Sequence, residues 1–328
     1  MALKLLRALF RPISVISEMG PVFSADPVGD AANEDSGAAS FVKHLLTTAD
    51  ASAIEGRYAK AYELYKRALH FLELDRYRHS EALVLCLNKL SHICRDLVLL
   101  REGEVYATRA VELGESLFEV DDEQLSASLN NLGAIYQAQD RYQEAEVLYL
   151  RALGMGRASK RKPDAIVART MNNLALVLSG RGRETEALDM FGGALEILQS
   201  LFGERHPDIG ITLSNMASLY RKIGFFDVAE MLYVRAHDSF FDAHGSEHPY
   251  TAMNYACLAA VYKEQRRYKE SEALYRFSLR VLEDAFGESH VRVRVVIRGL
   301  AQLYTRLGRG REALELEAKL FEIERMRA

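Results

Sequence analysis

Apolar residues recur along this chain at three- and four-residue intervals, broken at regular places by glycine. From Asp164 to Gly180 the positions Ile166, Val167, Met171, Leu174, Val177 and Leu178 form one such stripe, which predicts an amphipathic helix. Gly180 and Gly182 stop it, because glycine tolerates the left-handed conformation past a helix end. A second stripe follows, through Ala187, Leu188, Phe191, Ala194, Leu195, Leu198 and Leu201, with Glu184 and Glu186 in its opening turn and Gly203 after it. Negative charge in a first turn suits the helix dipole. His206-Pro207 then begins the pattern again. No stretch alternates convincingly with period two, so the expected class is all-α.

The helix–turn–helix pattern repeats at a fixed step. Ala61, Gly103, Ala145, Ala187, Ala229, Ser271 and Ala313 are each 42 residues apart, and Ala49, Ser91, Gly133, Ala175, Ala217, Ala259 and Ala301 keep the same step. Small side chains at helix crossings allow close approach of the two axes. Large residues keep the step as well: Leu90, Leu132, Leu174, Met216, Leu258 and Leu300 in one column, and Tyr65, Tyr149, Phe191, Tyr233 and Tyr275 in another. A fixed period of this size marks an array in which each unit packs on its neighbours. Units are expected near 39–79, 80–121, 122–163, 164–205, 206–247, 248–289 and 290–328, which makes 39–328 one array.

Residues 1–38 stand outside the period. Lys4, Arg7 and Arg11 accompany an apolar face of Leu3, Leu6, Leu9 and Phe10. Such a basic amphipathic stretch is of the kind seen in organelle-targeting peptides, here mitochondrial. A helix docked on the first unit and a poorly ordered tail are the other readings. Residues 20–38 carry Gly20-Pro21, Asp26-Pro27 and an Asn33–Gly37 polar cluster, the composition of a linker.

Composition narrows the class. A content of 49% hydrophobic and 27% charged residues indicates a folded soluble chain. A net charge of −4 argues against a generally nucleic-acid-binding surface. Cys86, Cys94 and Cys257 form no close pair, so neither a disulfide framework nor a zinc site is expected. Buried reduced thiols in a cytoplasmic setting are the simpler reading. No apolar run approaches the ~20 residues of a membrane span.

The strings LNNLGAIYQAQDRYQEAEVLYLRAL (129–153), TMNNLALVLSGRGRETEAL (170–188) and FGERHPDIGITLSNMASLY (202–220) resemble tetratricopeptide (TPR) repeats of the 42-residue, kinesin light chain type. The resemblance covers about residues 40–325. It implies a right-handed α-solenoid of about seven helix-turn-helix units that acts as a non-catalytic protein-binding scaffold or adaptor. The end units depart from the pattern, with Thr48 and Ser52 in the first and Glu317 and Leu320 in the last. No heptad run lies on the N-terminal side, so the cargo-binding kind of array is implied and not the motor-joined subunit.

In TPR proteins the first helix of each unit lines a concave groove that holds a peptide segment of a partner. That mapping puts Asn131, Asn173 and Asn215 on the inner wall, preceded by Asn88, Asn130 and Asn172. A carboxamide both donates and accepts, so it can hold a peptide backbone. Bridging between adjacent units is the competing role. Arg169 lies one turn before Asn173, and Arg221, Lys222, Lys263 and Arg306 occupy the ends of first helices in units five to seven; if they converge they would favour an acidic partner. Capping of helix C-termini is the alternative for them. Arg169, Asn131 and Asn173 match only part of the chaperone-tail clamp, and Ala127 stands where a lysine is needed.

Catalytic chemistry is not expected. His206 and His248, each followed by proline, and His290 recur at the unit step and are read as structural. No HExxH, P-loop or GxSxG motif occurs, and Gly154-Met155-Gly156 lacks a preceding strand. The basic run Arg157–Lys162 is read as a solvated loop. No cofactor, metal or nucleic-acid partner is expected.

Overall fold

The computed structural model describes residues 36–74, 81–118, 123–158 and 165–325. The basic amphipathic stretch, the linker up to residue 35 and residues 159–162 of the basic run lie outside these. The chain divides into a first unit, Met1–Phe41, and a second, Val42–Ala328, which carries the array.

Among the described residues there are fourteen helices and no strand. In chain order they are α1 (Ser36–Ile54), α2 (Tyr58–Leu72), α3 (Glu81–Asp96), α4 (Leu100–Leu117), α5 (Glu123–Ala138), α6 (Tyr142–Ala158) and α7 (Ala165–Gly180). There follow α8 (Glu184–Phe202), α9 (Pro207–Lys222), α10 (Phe226–His244), α11 (Pro249–Glu264), α12 (Tyr268–Phe286), α13 (Val291–Arg306) and α14 (Gly310–Arg325). α1 begins inside the stretch whose composition reads as linker. Consecutive helices pair into seven hairpins, the first through the core that Leu45 and Ala49 share with Ala61 and Tyr65, and each hairpin packs on the next, giving an all-α solenoid.

The small columns sit where the hairpin helices cross, and all fourteen members are buried. A Cβ added at Gly133 would meet the Tyr149 ring at 2.7 Å, and one at Gly103 would meet Ile135 at 2.8 Å. A side chain at either glycine would require Tyr149 or Ile135 to shift. The large columns fill the remaining space: Tyr149, Phe191 and Tyr233 are fully buried, and Leu174, Ala175, Ala187 and Phe191 share one core cluster. Leu201, which continues the α8 stripe, is instead 45% exposed near the end of its helix.

Two periodic devices make the turns. The residue two places before the second helix of each hairpin has a left-handed backbone in all seven units. It is glycine at 56, 182, 224 and 308, and Val98, Asp140 and Arg266 in the others, with φ between 61° and 88°. Arginine follows it in most units. Arg141 stacks 3.7 Å from the Tyr136 ring centre and donates to Glu144 in its own hairpin and to Glu104 in the preceding one. Arg267 repeats this with Tyr262, Glu270 and Glu230, and Arg309 with Tyr304, Glu312 and Glu272. Arg183 makes the same two carboxylate contacts, with Glu186 and Glu146.

The curvature follows from which helices meet. First helices of adjacent hairpins pack on one another, whereas adjacent second helices barely touch. The first helices therefore lie on the inside of the bend. The bend is tight enough to bring the start of the array against its end. The Tyr58 ring stacks on Phe286 at 5.2 Å, Arg292 donates to Asp96 at 2.7 Å, and His290 donates to the Asp96 carbonyl at 3.0 Å.

Candidate binding surface on the inner wall

The histidines that open α9, α11 and α13 are N-caps. His206, His248 and His290 each accept through Nδ1 from the backbone N–H two residues on, at 3.2 Å in all three. Each ring also stacks on the end of the preceding helix: His206 on Phe202, His248 on His244 and His290 on Phe286. Proline follows the first two, where a missing N–H costs nothing. Among the described residues, no three His, Cys, Asp or Glu side chains gather into a metal-holding group. Burial pushes the Cys86 and Cys94 thiols up to about 12, which removes them from nucleophilic chemistry.

The asparagines form a ladder across the inner wall. Asn131 donates to Asn88 Oδ1 at 3.3 Å, Asn173 to Asn130 Oδ1 at 3.2 Å and Asn215 to Asn172 Oδ1 at 3.1 Å. Each bond joins a first helix to the first helix one unit earlier. The acceptors Asn88, Asn130 and Asn172 are buried, while Asn131, Asn173 and Asn215 are half-buried. Asn173 Oδ1 also accepts from Asn172. The Asn131 and Asn215 side-chain oxygens receive no donor among the described residues. The unit-bridging role is thus present, and part of each carboxamide's capacity is left over on the wall.

The cations divide into two columns. Lys222 donates to Ser179 O at 2.7 Å and pairs with Glu184 at 3.2 Å; Arg306 pairs with Glu264 at 2.9 Å. These are neutralised within the array. Arg221 and Lys263, one unit step apart, form no carboxylate ion pair among the described residues. Lys263 donates to Gln302 at 2.7 Å and is only 6% exposed, and this burial lowers its pKa. The Tyr233 hydroxyl lies against Arg221 and donates to Ser218 at 3.0 Å. Arg169 reaches Asp208 only at 4.0 Å. Arg169 and Arg221 are therefore the least neutralised of these cations, and Lys263 is shut away from solvent.

Two groups escape the sequence reading. The arginine brackets carry a legible signal, a 42-residue step with glutamate three residues on. The meeting of Asp96 and Arg292 carries none, because 196 residues separate them and that is no multiple of the step. Beside that pair, Arg95 bonds His92 Nε2 at 2.9 Å and His92 Nδ1 faces Asp96 at 3.5 Å, which adds a further cation to the first-helix face.

Comparison with known proteins agrees with this architecture. The family model for the tetratricopeptide repeat matches residues 83–158, 166–240 and 250–325. Among solved structures, BtubC (BKLC) from P. vanneervenii is 22% identical, with 75% of this chain and 92% of that one covered and a TM-score of 0.52. Aspartyl phosphate phosphatase F from Bacillus subtilis is 14% identical, with 88% and 71% covered and a TM-score of 0.61. At these identities the likeness is one of fold. No curated protein sequence matches the chain. With seven helical hairpins at a 42-residue step and three family matches spanning well over half its length, the chain belongs to the tetratricopeptide repeat family.

Proposed function

We propose that this protein is a non-catalytic scaffold that holds a peptide segment of a partner protein against its inner wall, and that the segment is acidic. The observation carrying this reading is that half-buried Asn131 and Asn215 keep unused acceptor oxygens on the first helices, which also carry the weakly neutralised Arg169 and Arg221. The amides engage a peptide backbone without reading its side chains, at about 0.5–1.5 kcal/mol for each bond. A few such bonds fall short of the ~8 kcal/mol of a micromolar complex, so charge and side-chain pockets supply the rest. Lys222 and Arg306 act mainly within the array. Affinity capture with the wild type and with an Asn215→Leu/Arg221→Glu variant of unchanged helix content tests the reading. Loss of the captured partner is expected; an unaltered partner set would mean that the inner wall is not the site.

A second reading concerns place rather than mechanism. The Lys4, Arg7 and Arg11 stretch with its apolar face favours a TPR assembly or regulatory factor sent to mitochondria. Comparing the distribution of tagged chains with and without residues 1–19 decides it, and an unchanged distribution removes it.

A further inference from the structure

The array is held closed by a seam between distant units. On one side stand the turns after α1 and α3, with Gly56, Tyr58 and Asp96. On the other stand the openings of α11 and α13, with His248, Pro249, Tyr250, His290 and Arg292. The apolar part is small: the Tyr58–Phe286 stack, and Gly56 under Pro249, where an added Cβ would come within 2.9 Å of Pro249 Cδ.

The seam is in register. His290 donates to the carbonyl of Asp96 across 194 residues. Its Nδ1 already accepts from Arg292 N, so the ring is the neutral form with the proton on Nε2. His248 is aimed in the same way at the backbone of Ile54, at the same 194-residue offset. The same histidine cap meets the same helix end twice.

The seam is also thin and imperfectly paired. Every substantial helix–helix contact among the described residues joins a helix to the next or the next but one, and none bridges the seam. Tyr58 Oη faces Tyr250, His248 Nε2 faces the Ile54 backbone and Asp96 Oδ2 faces His92 Nδ1 at 3.5 Å; all three are sealed from solvent, and none reaches full hydrogen-bond geometry. Asp96 is 2% exposed, so its pairing with Arg292 takes a carboxylate out of water. A buried ion pair of this kind adds little net stability, yet removing one partner strands the other charge. Underpaired buried polar groups oppose closure further. Hairpin stacking, by contrast, is unaffected by whether the seam is made, since each unit packs only on its neighbours.

We propose that this seam is a clasp: the array interconverts between a closed circuit and an open superhelix, and the Asp96–Arg292 pair decides the balance. Opening separates the ends of the array and leaves the hairpins intact. Opening would also widen access to the inner wall; that consequence rests on the inner-wall reading, whereas the clasp itself does not.

The test is small-angle X-ray scattering with hydrogen exchange on the wild type, the single variants Asp96→Asn, Arg292→Gln, Asp96→Arg and Arg292→Asp, and the exchanged pair Asp96→Arg with Arg292→Asp. Circular dichroism monitors helix content throughout. Each single variant is expected to keep its helices, expand in radius of gyration, and exchange amides at 290–292 about tenfold faster. The exchanged pair should recover part of the compactness that either of its component single changes loses. If a single change instead unfolds the chain, Tyr58→Leu and Phe286→Leu weaken the seam without stranding a charge and should give the same expansion. Unchanged scattering and exchange in well-folded seam variants would overturn the clasp. Equal expansion in the exchanged pair and in both its components would overturn the role of the ion pair. Partner capture is measured separately, so its failure would count against the inner-wall reading alone.

Discussion

Arg292, in the first turn of α13, donates to the buried carboxylate of Asp96 at the end of α3, 196 residues earlier and 2.7 Å away. Burial by itself would raise the Asp96 pKa. His92, Arg95 and Arg292 outweigh it and hold the carboxyl below its usual range. His92 is driven the other way, down to about 4, by desolvation and then by Arg95. Neighbouring charges therefore decide the ionisation of Asp96, whereas desolvation is the larger cause at His92.

These shifts set an acid response. His92 and His248 both fall from an ordinary 6.5 to about 4, so the folded array resists protons that the unfolded chain takes up. Their contribution is complete above 6.5 and declines as pH falls toward 4. Each histidine changes stability by at most about 1.4 kcal/mol per pH unit in that window. His92 gives less, because its side chain is 44% exposed and screened by solvent. The depressed Asp96 keeps its contribution until pH falls below the usual carboxylate range. Urea midpoints at pH 7 and pH 5 should show the wild type losing stability and a His248→Asn variant losing less of it. Equal losses would show that His248 does not carry the effect.

Core truncation should follow the column logic. Leu174 is 4% exposed, and Leu174→Ala should lower stability by about 2–5 kcal/mol. Ala187 is fully buried at a crossing, so Ala187→Leu should cost about 1–3 kcal/mol by overpacking. Urea unfolding followed by circular dichroism measures both.

Val98 is the β-branched member of the left-handed turn column, at φ 61°. Val98→Gly should stabilise the chain by about 1 kcal/mol, since the left-handed region is costly for a side chain with a branched Cβ. Gly182→Val, at φ 76° with open space around its Cα, should lose about the same amount. Thermal midpoints moving in opposite directions would support this.

The arginine brackets should matter more than ordinary surface charge. Arg267 stacks on Tyr262 and joins Glu230 to Glu270 across two units, so Arg267→Ala should cost about 1–2 kcal/mol. Arg311 is 93% exposed with a single pairing to Glu315, and Arg311→Ala should change stability by less than about 0.5 kcal/mol. Similar values for the two would show that the bracket adds nothing beyond a surface pair.

The hairpins, their small-residue crossings and the structural histidines were legible in the sequence because each depends on residues within one unit or its neighbour. A contact that recurs every 42 residues leaves a periodic trace in composition, as at Ala187 and Gly133. The cap at His206 and the glycine at 203 are equally local. The candidate inner wall was legible as a set of columns. Which of its side chains are already engaged was not: Lys222 and Lys263 look alike in sequence, yet one meets Glu184 and the other is buried against Gln302.

The chain's own sequence determined the unit, its step and its stacking, since nearest-neighbour packing of identical hairpins follows from repeated side-chain volumes. Only the tertiary structure decided that Asp96 meets Arg292. That contact depends on the rotation between successive hairpins accumulated over about five units, and a small change at each step would move the ends apart. No local pattern records a sum of that kind.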